Sequence, residues 1–318
     1  MPDACYLGID TSCYTTSLCL LDKSGTTLLD ERILLPVQAG EHGLRQSEGV
    51  FHHVRQLPEL LRRLPATRLP LRAVGVSARP RPVDGSYMPV FLAGVLAAEA
   101  VAQTAGVPLY SFSHQEGHLA AGLDAALSAD FLAVHISGGT SELLRVHPHS
   151  TAGFSVELVA GTSDLNAGQM IDRVGVAMGL PFPAGPDLER LAKAAVGRIS
   201  LPSSVDGLSF SFSGPCSAAL RLVEQGEDVA EIAFAVLRVV ANALEKVLRA
   251  ARGSYACTTV LAVGGVLSNQ LIRDRLLHRL GPAFRLIFAE PALSSDNAVG
   301  IARLARQRHL LAESAVRG

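Results

Sequence analysis

Two histidines, His114 and His118, are the side chains whose type and spacing best suit the binding of a metal ion. They lie in a Ser-His-Gln-Glu-Gly-His run that follows a short apolar strand and begins a predicted helix. A spacing of four residues places both imidazoles on one face of a helix, where they can bind the same ion. Glu116 stands two residues after the first histidine, which differs from the HExxH pattern of zinc proteases. The pair alone is equally compatible with two solvent-facing histidines.

A third candidate ligand, Asp296, precedes the last predicted helix in the run Ser-Ser-Asp-Asn. Capping the helix is the ordinary role of such a residue, but its carboxylate could instead supply a hard oxygen ligand. Two imidazole nitrogens and one carboxylate would leave coordination positions open for a substrate, as a catalytic site requires. Zinc and iron(II) both accept this ligand set.

Three turns rich in glycine or hydroxyl side chains are candidates for binding a nucleotide. The run Thr11–Thr16 joins two apolar segments, Ser137–Ser141 does the same later in the chain, and Gly264-Gly265 joins an apolar strand to a helix. Such turns leave backbone N–H groups free for phosphate oxygens, and the glycines let an adenosine approach the backbone. Asn269 then either caps the following helix or contacts the ligand. Each hairpin turn alone is more often a plain connection.

The segments that carry these residues occur twice in the same order, and this repeat predicts two related lobes. In each half, two apolar strands flank a hydroxyl-rich turn and a third strand follows. The full pattern is βββαβα, which predicts an α/β protein whose hairpin turns face each other across a cleft. The predicted strands are 5–10, 17–21, 27–35, 71–76, 109–112, 131–136, 142–146, 154–159 and 258–263, and the predicted helices are 50–64, 86–105, 268–280 and 298–311.

Composition argues against several classes of protein. The 318 residues carry a formal net charge of -1, so the chain has no global positive field that would attract nucleic acid, although a local basic patch is compatible with it. Its five cysteines show no CxxC pair and no regular spacing, which argues against a zinc ribbon or a disulfide scaffold and favours a reducing cytoplasm. We find no signal-peptide pattern and no apolar run long enough to cross a bilayer, so a soluble, cytoplasmic protein is expected.

Eight short runs occur along the chain in an order that is typical of one known family. They are Gly8-Ile9-Asp10-Thr11-Ser12-Cys13, His114-Gln115-Glu116-Gly117-His118, Ile136-Ser137-Gly138-Gly139, Ala167-Gly168 with Asp172, Pro183-Ala184-Gly185-Pro186, Phe210-Ser211-Phe212-Ser213-Gly214, Gly264-Gly265-Val266 with Asn269, and Ser295-Asp296-Asn297. Over nearly its whole length the chain therefore resembles the TsaD family, also called Gcp or YgjD and formerly O-sialoglycoprotein endopeptidase (peptidase M22-like).

The resemblance implies a fold, a reaction and partners. The implied fold is the two-lobed, actin-like ATPase fold of the actin/Hsp70/sugar-kinase (ASKHA) superfamily. One lobe would comprise residues 1–124, completed by a C-terminal helix at 296–318, and the second residues 125–295. The implied enzyme transfers threonylcarbamoyl from threonylcarbamoyl-AMP to N6 of adenosine 37 in tRNAs that read codons beginning with A. The implied partners are tRNA, a metal-free paralogue and a small ATPase of the same system, and a homodimer is a further expectation.

The resemblance also implies the residues of the site. His114, His118 and Asp296 would bind one divalent transition metal, iron or zinc. An adenine nucleotide, which would be AMP, ATP or threonylcarbamoyl-AMP, would bind at positions that match the family pattern. These are the first turn (Asp10, Thr11, Ser12), the donor-binding turn (His135, Ile136, Ser137, Gly138, Gly139), the ribose positions (Asp172, Gly185) and the adenosine side (Gly264, Gly265, Asn269).

Several positions near the implied site differ from the family pattern. Tyr14 and Thr15 stand where acidic residues are usual, and Thr140 stands where a histidine is usual. The family's Gly-Pro-Gly loop is replaced by one that contains Arg79 and Arg81. These departures leave two other functions open. One is carbamoyl or phosphoryl transfer to a small molecule, in which the two arginines would bind an anionic substrate. The other is nucleotide binding by a regulatory protein without catalysis.

Overall fold

The chain folds into two α/β lobes, each built on one mixed sheet. The computed structural model describes residues 3–36, 44–65, 70–123, 129–149, 153–162 and 164–317. The strands are β1 (Cys5–Thr11), β2 (Thr15–Asp22), β3 (Thr27–Leu34), β4 (Leu71–Arg79), β5 (Leu109–Ser113), β6 (Phe131–Ile136), β7 (Ser141–Pro148), β8 (Phe154–Thr162), β9 (Ser204–Asp206), β10 (Ser209–Ser211), β11 (Thr259–Val263) and β12 (Arg285–Phe288). The helices are α1 (Gln46–Arg62), α2 (Phe91–Ala105), α3 (His114–Ala121), α4 (Ala167–Ala177), α5 (Gly185–Ala192), α6 (Ser213–Glu224), α7 (Val229–Ser254), α8 (Gln270–Leu280), α9 (Pro291–Ser294) and α10 (Val299–Arg317), with a 3-10 turn at Gly265–Ser268.

The first sheet has the strand order β3-β2-β1-β4-β5. Strand β1 pairs with β2 as an antiparallel hairpin and with β4 in parallel, and β4 pairs in parallel with β5. Every residue of β1 is buried because helices cover both faces of the sheet. Alternate side chains, such as those of Tyr6 and Leu7, therefore belong to different apolar clusters on opposite faces.

Helix α10 lies directly on the backbone of β1. A Cβ atom at Gly8 would lie 2.5 Å from the carbonyl oxygen of Ala298 and 2.6 Å from the backbone nitrogen of Ala302. Only glycine permits so close an approach between the strand and the helix. Tyr6 packs into the same contact, and α10 also touches β4. The last helix of the chain thus covers one face of the first sheet.

The second sheet has the strand order β12-β11-β6-β7-β8-β10-β9. Strand β6 lies antiparallel to β7 and parallel to β11. The 26-residue helix α7 packs its apolar face, which includes Ile232, Val236 and Val240, into the core beside this sheet. Because β6 and β11 are parallel, the turns that follow Ile136 and Val263 lie at the same edge of the sheet. This edge faces the first lobe.

The predicted α/β class and the two lobes are confirmed, whereas some predicted helix starts are wrong. Helix α2 begins at Phe91, five residues later than predicted, because the N–H of Ser86 donates to the carbonyl oxygen of Val83 in a turn. The predicted helix after the second glycine turn is divided at Asn269, whose backbone is extended and whose side chain accepts a hydrogen bond from the Ile272 N–H. Strands β9 and β10 were not predicted, since three residues carry too little periodicity.

Two further predictions concern the chain as a whole. The predicted boundary between residues 124 and 125 lies outside the described residues, so the two domain ranges and the completion of the first lobe by residues 296–318 stay predictions. For the membrane prediction, the described part of the chain contains no helix that combines the length and the hydropathy needed to cross a bilayer.

Candidate functional site

The start of α3 sets the direction of His114 and His118. The Ser113 hydroxyl accepts a hydrogen bond from the Glu116 N–H at 3.2 Å, and Glu116 Oε2 accepts one from the Ser113 N–H at 2.7 Å. This reciprocal pair is a capping box, which begins the helix at His114 and explains Glu116 as a structural residue. The two histidines one turn apart therefore face the same side, toward Asp296.

His114, His118 and Asp296 form a cluster with the spacing of metal ligands. The Nε2 atoms of the two histidines lie 3.1 Å apart. Asp296 Oδ1 lies 3.3 Å from His118 Nε2 and 3.5 Å from His114 Nε2. Ligand atoms bound to one tetrahedral zinc ion at its usual bond lengths are about 3.3 Å apart. The three side chains therefore fit a single transition-metal ion without rearrangement of the backbone.

Two residues of the first hairpin hold these ligands in place. Asp10 Oδ2 lies 2.8 Å from His114 Nδ1, and the Ser77 hydroxyl also donates to this carboxylate. Nδ1 therefore carries the proton, and the Nε2 lone pair points toward the cluster. The Ser12 hydroxyl donates to Asp296 Oδ2 at 2.5 Å. Asp10 and Ser12 thus contact the candidate metal ligands, and their binding of a nucleotide stays a prediction.

The charges around the cluster favour a cation. Burial lowers the pKa of His114, but the carboxylates of Asp10 and Asp296 raise it by more, so this pKa lies well above its ordinary value. Burial raises the pKa of Asp296, but hydrogen bonds and charges from His114 and His118 hold it well below its ordinary value. A divalent ion would supply the positive charge that these two carboxylates favour.

His135 lies beside the metal cluster, at the end of β6. Its ring centroid is 4.8 Å from that of His118, and its buried side chain reaches the wall of the cleft. Neither ring nitrogen has a hydrogen-bond partner within the described part of the chain. Burial, followed by the charges of His118 and His114, lowers its pKa well below the ordinary value, so the ring is neutral. Two unpaired buried nitrogens are costly, which supports a bound ion or ligand at this place.

The cavity between the lobes has a volume of about 1020 Å³, and residues of both lobes line it. On the second lobe, the turn Ser137–Thr140 is closed by a hydrogen bond of 2.8 Å from the first N–H to the last carbonyl oxygen. Helix α4 packs against this turn, since a Cβ atom at Gly168 would lie 2.5 Å from the carbonyl oxygen of Ser137. The turn and the helix N-terminus together form a place suited to a phosphate.

The two glycines of the turn after β11, Gly264 and Gly265, have different surroundings. Gly264 has a φ of +100°, and a Cβ atom there would lie 2.3 Å from the carbonyl oxygen of Ile136. Its role is therefore to let the turn pack against β6. Gly265 lines the cleft, and no described atom outside its chain neighbours lies within 4 Å of its Cβ position. Gly139 is open in the same way, while a Cβ atom at Gly138 would lie 3.5 Å from the Tyr14 ring.

Three polar side chains line the cleft near α5 and α8. Asp172 Oδ1 accepts a hydrogen bond of 2.8 Å from the Ala184 N–H and so fixes the start of α5 at Gly185. Asn269 caps α8 and also faces the cavity. Glu189 Oε1 accepts a hydrogen bond of 2.9 Å from the first N–H of α8. Glu189 was not predicted, and its only signal in the sequence is its place one helical turn after Gly185.

Two predicted residues lie behind the wall of the cleft. The Thr11 hydroxyl donates to the Val90 carbonyl oxygen at 2.9 Å and accepts a hydrogen bond from the Gly94 N–H at 3.2 Å, which anchors α2. The Ile136 side chain belongs to the apolar core of the second lobe. Both residues support the hairpin turns beside them without lining the cavity, and their contact with a nucleotide stays a prediction.

Side chains that depart from the family pattern also line the cleft. The rings of Tyr14 and Phe182 face each other across it with centroids 6.2 Å apart. Burial raises the pKa of Tyr14 to about 12, so its phenol stays protonated. Arg81 also lines the cavity and pairs with Glu142. The cleft therefore combines an aromatic wall with one guanidinium.

Solved structures with this fold come from proteins of several functions. The activator of the 2-hydroxyisocaproyl-CoA dehydratase from Clostridium difficile matches with a TM-score of 0.56 and 13% identity, over 99% of this chain and 98% of that one. HypF in its phosphate- and nucleotide-bound form matches with a TM-score of 0.61 and 13% identity, over 97% of this chain and 56% of that one. A ROK family glucokinase from Streptomyces griseus matches with a TM-score of 0.52 and 15% identity, over 95% of this chain and 99% of that one. These likenesses confirm the predicted actin/Hsp70/sugar-kinase fold.

Sequence comparison identifies the family. Residues 50–303 match the model of the TsaD family, described as tRNA N6-adenosine threonylcarbamoyltransferase. A protein with that name from Thermus thermophilus is 32% identical over 95% of this chain and 92% of its own length. A relative of the same name from Geobacillus thermodenitrificans is 32% identical over 94% and 90%. With its order of motifs and its cleft, the chain belongs to the TsaD family.

Proposed function

We propose that this protein is a metal-dependent transferase that moves a threonylcarbamoyl group from threonylcarbamoyl-AMP to N6 of adenosine 37 in tRNA. One observation carries the proposal: the cluster His114, His118 and Asp296 lies beside the cleft that the two glycine turns line, in a chain of the TsaD family. A metal and a nucleotide bound there would meet. The relatives' name supports this reaction, and the residues that line the cleft support this site for it.

The second lobe would bind the nucleotide part of the donor. The backbone N–H groups of Gly138 and Gly139, in the turn that the Ser137 N–H closes, and the N-terminus of α4 would bind the phosphate. Asp172, Gly185 and Glu189 would face the ribose, since they line the cleft along α5. Gly265 and Asn269 would contact the adenosine. The same turn amides would stabilise the negative charge that grows on the leaving AMP as the carbamoyl carbon is attacked.

His114, His118 and Asp296 would hold one divalent transition metal, for which iron and zinc are the candidates. When bound, such an ion supplies Lewis-acid charge for the donor's oxygens. The chain itself fixes the orientation and the tautomer of the ligand side chains. Asp10 fixes the tautomer of His114, and the Ser12 hydroxyl holds the Asp296 carboxylate.

The acceptor would be tRNA, and a cytoplasmic location would be consistent with this acceptor. Because the net charge is only -1, we expect tRNA to bind through a local basic patch or through partner proteins. The metal-free paralogue and the small ATPase implied by the resemblance stay predicted partners, and the homodimer stays an expectation. Measurement of the metal in the purified protein decides between iron and zinc.

The test is a transfer assay with purified, metal-loaded protein, threonylcarbamoyl-AMP, tRNA that lacks the modification, and the predicted partners of the same system. Nucleosides from digested tRNA are then measured by mass spectrometry. We expect threonylcarbamoyladenosine with the native chain and none with the His114→Ala/His118→Ala double variant.

Two results would contradict this function. Product on small-molecule acceptors with none on tRNA would favour the alternative transferase. Binding of AMP without product on any acceptor, from folded and metal-loaded protein, would favour a regulatory protein. Variants at the metal ligands serve as the matched control in each assay.

A further inference from the structure

Arg81 places a guanidinium in the cleft from a loop that differs from the family pattern. The loop runs from Arg79, the last residue of β4, to Phe91, the first residue of α2. The Arg81 N–H donates to the Ser86 hydroxyl at 3.0 Å, which fixes the loop locally. The Arg81 side chain is 46% exposed and lines the cavity. It is therefore accessible to a ligand.

A buried carboxylate holds this guanidinium. Arg81 Nη2 lies 2.5 Å from Glu142 Oε1, and the Glu142 side chain is only 7% exposed. Its second oxygen accepts a hydrogen bond of 2.9 Å from the Gln115 amide. Gln115 is itself fixed, because its N–H donates to the Pro80 carbonyl oxygen at 3.0 Å. Both oxygens of Glu142 are thus engaged, and the arginine has a defined position before any ligand binds.

The guanidinium keeps donors free for a ligand. It has five N–H donors in one plane, and only Nη2 faces an acceptor within the described part of the chain. Nη2 keeps a second N–H, which together with the Nε–H or with an Nη1 N–H can bind the two oxygens of a carboxylate. Glu142 presents little charge to the cleft because it is buried and paired.

The position of Arg81 relates it to the metal cluster. Gln115 follows His114 directly on α3, and Glu142 pairs with His135 across strands β6 and β7. Arg81 therefore pairs with Glu142, whose neighbours Gln115 and His135 adjoin the metal side of the cleft. Adenosine would lie at the other side, near Asn269.

We propose that Arg81 binds the carboxylate of the amino-acid part of the donor. This inference rests on the proposed function, whose donor carries two anionic groups. Its phosphate already has the turn amides and the metal cluster as partners. The threonine of a threonylcarbamoyl group keeps a free carboxylate, which extends beyond the reacting carbonyl and has no other cationic partner proposed in the cleft. Arg81 would make the enzyme select acyl groups that bear this charge.

The test compares three ligands on metal-loaded protein by calorimetry: a non-hydrolysable analogue of threonylcarbamoyl-AMP, the same analogue with the carboxylate reduced to a hydroxymethyl group, and AMP. For Arg81→Gln we expect roughly 10–100-fold weaker binding of the carboxylate analogue, the usual effect of losing a hydrogen bond between charged groups. Binding of the hydroxymethyl analogue and of AMP should change less than about threefold. Arg81→Lys, which keeps the charge without the planar fork, should lose part of this affinity.

Two controls separate this role from a general effect on the fold. Arg79→Gln changes the neighbouring arginine, which is not among the residues that line the cleft, and should leave all three affinities unchanged. The double variant Arg81→Gln/Glu142→Gln leaves no buried unpaired charge and should show the same selective loss. It keeps the test valid if the single variant folds poorly.

Three outcomes would overturn the proposal. Equal losses for all three ligands would assign Arg81 to the phosphate or to the structure of the cleft. Unchanged binding of the carboxylate analogue would remove Arg81 from the donor site. Weaker binding of tRNA alone, in a parallel titration, would assign the guanidinium to the acceptor's backbone. Because these are binding measurements, they stay valid even if the transfer assay gives no modified tRNA.

Discussion

Asp10 is the buried carboxylate on which the direction of His114 depends. One of its oxygens faces His114 Nδ1, and the other has no partner in the described part of the chain. A histidine that donates its second N–H to a carboxylate has one tautomer, and its remaining nitrogen is a better metal ligand. The sequence places Asp10 at the end of a buried strand, but only the fold shows which side chain it meets.

We expect Asp10→Asn to weaken metal binding without abolishing it. Loss of an outer-shell partner typically lowers metal affinity about 10–100-fold, whereas His118→Ala removes a ligand and should leave no measurable stoichiometric metal. The measurement is competition with a chelator of known affinity. Asp130→Asn, a change at an exposed carboxylate paired with Arg145, is the control. Native affinity in folded Asp10→Asn would show that the carboxylate does not support the ligand.

The two adjacent glycines of the turn after β11, Gly264 and Gly265, should respond differently to the same change. Gly265→Val should fold and lose most affinity for AMP, because its side chain would enter open space in the cleft. Gly264→Val should fail to fold, because its φ is +100° and the Cβ atom would overlap the Ile136 carbonyl. Circular dichroism and AMP titration distinguish the two outcomes. Unchanged AMP affinity in folded Gly265→Val would place the nucleotide elsewhere.

A residue of this site can be predicted from the sequence when local geometry alone sets the direction of its side chain. His114 and His118 could be paired in advance because any helix brings residues four apart together. Asp296 was a candidate ligand from its residue type alone, and the resemblance joined it to the two histidines, since no local rule connects positions so far apart. The contact of His135 with His118 had no signal in the sequence, and the only signal of Glu189 was its place one turn after Gly185, because both depend on how β6, α3 and α5 pack.

At the scale of elements, α1 supports the first hairpin through one buried histidine. His53 is fully buried on this helix. Its Nε2–H donates to the Ser12 carbonyl oxygen at 2.8 Å, and its Nδ1 lies 2.7 Å from the Thr16 hydroxyl oxygen. Burial lowers its pKa below the ordinary value, so the ring is neutral in the folded chain. Both ends of the hairpin turn are therefore tied to α1.

We expect His53 to make folding sensitive to acid. The unfolded chain takes up a proton at this residue near pH 6.5, whereas the folded chain takes it up only at lower pH. The stabilising effect is thus complete above about pH 6.5 and is lost as the pH falls toward the folded-state pKa. His53→Gln should be less stable at pH 7.5 and show a flatter decline between pH 7 and 5 in urea unfolding. An identical slope in both proteins would contradict this role.

The elements themselves were predicted best where apolar runs end at distinct turns. Strands β1, β6 and β7 agree with the prediction to within two residues because each adjoins a hydroxyl- or glycine-rich turn. Helix starts were less accurate because local hydrogen bonds decide them. Asn269 is the clearest case: the same side chain that could contact a ligand also caps α8 and delays its first turn.

At the scale of the whole molecule, the site lies between two lobes, each built on its own sheet. The histidines of the candidate metal site come from α3, beside the first sheet, whereas the turns after β6 and β11 lie at the edge of the second. Repetition in the sequence predicted two lobes and a cleft. It could not predict which side chains of the two lobes meet, such as Arg81 with Glu142, since their contact depends on the relative position of the sheets.

The approach of α10 to Gly8 has a consequence for synthesis of the chain on the ribosome. Strand β1 is made long before the helix that covers its backbone, and Asp296 directly precedes that helix. A nascent chain that has not reached this segment has one face of its first sheet uncovered and only the two histidines of the metal cluster. Asp296 can therefore join the two histidines only after the chain has been translated past residue 296, just before the helix that covers Gly8 is made.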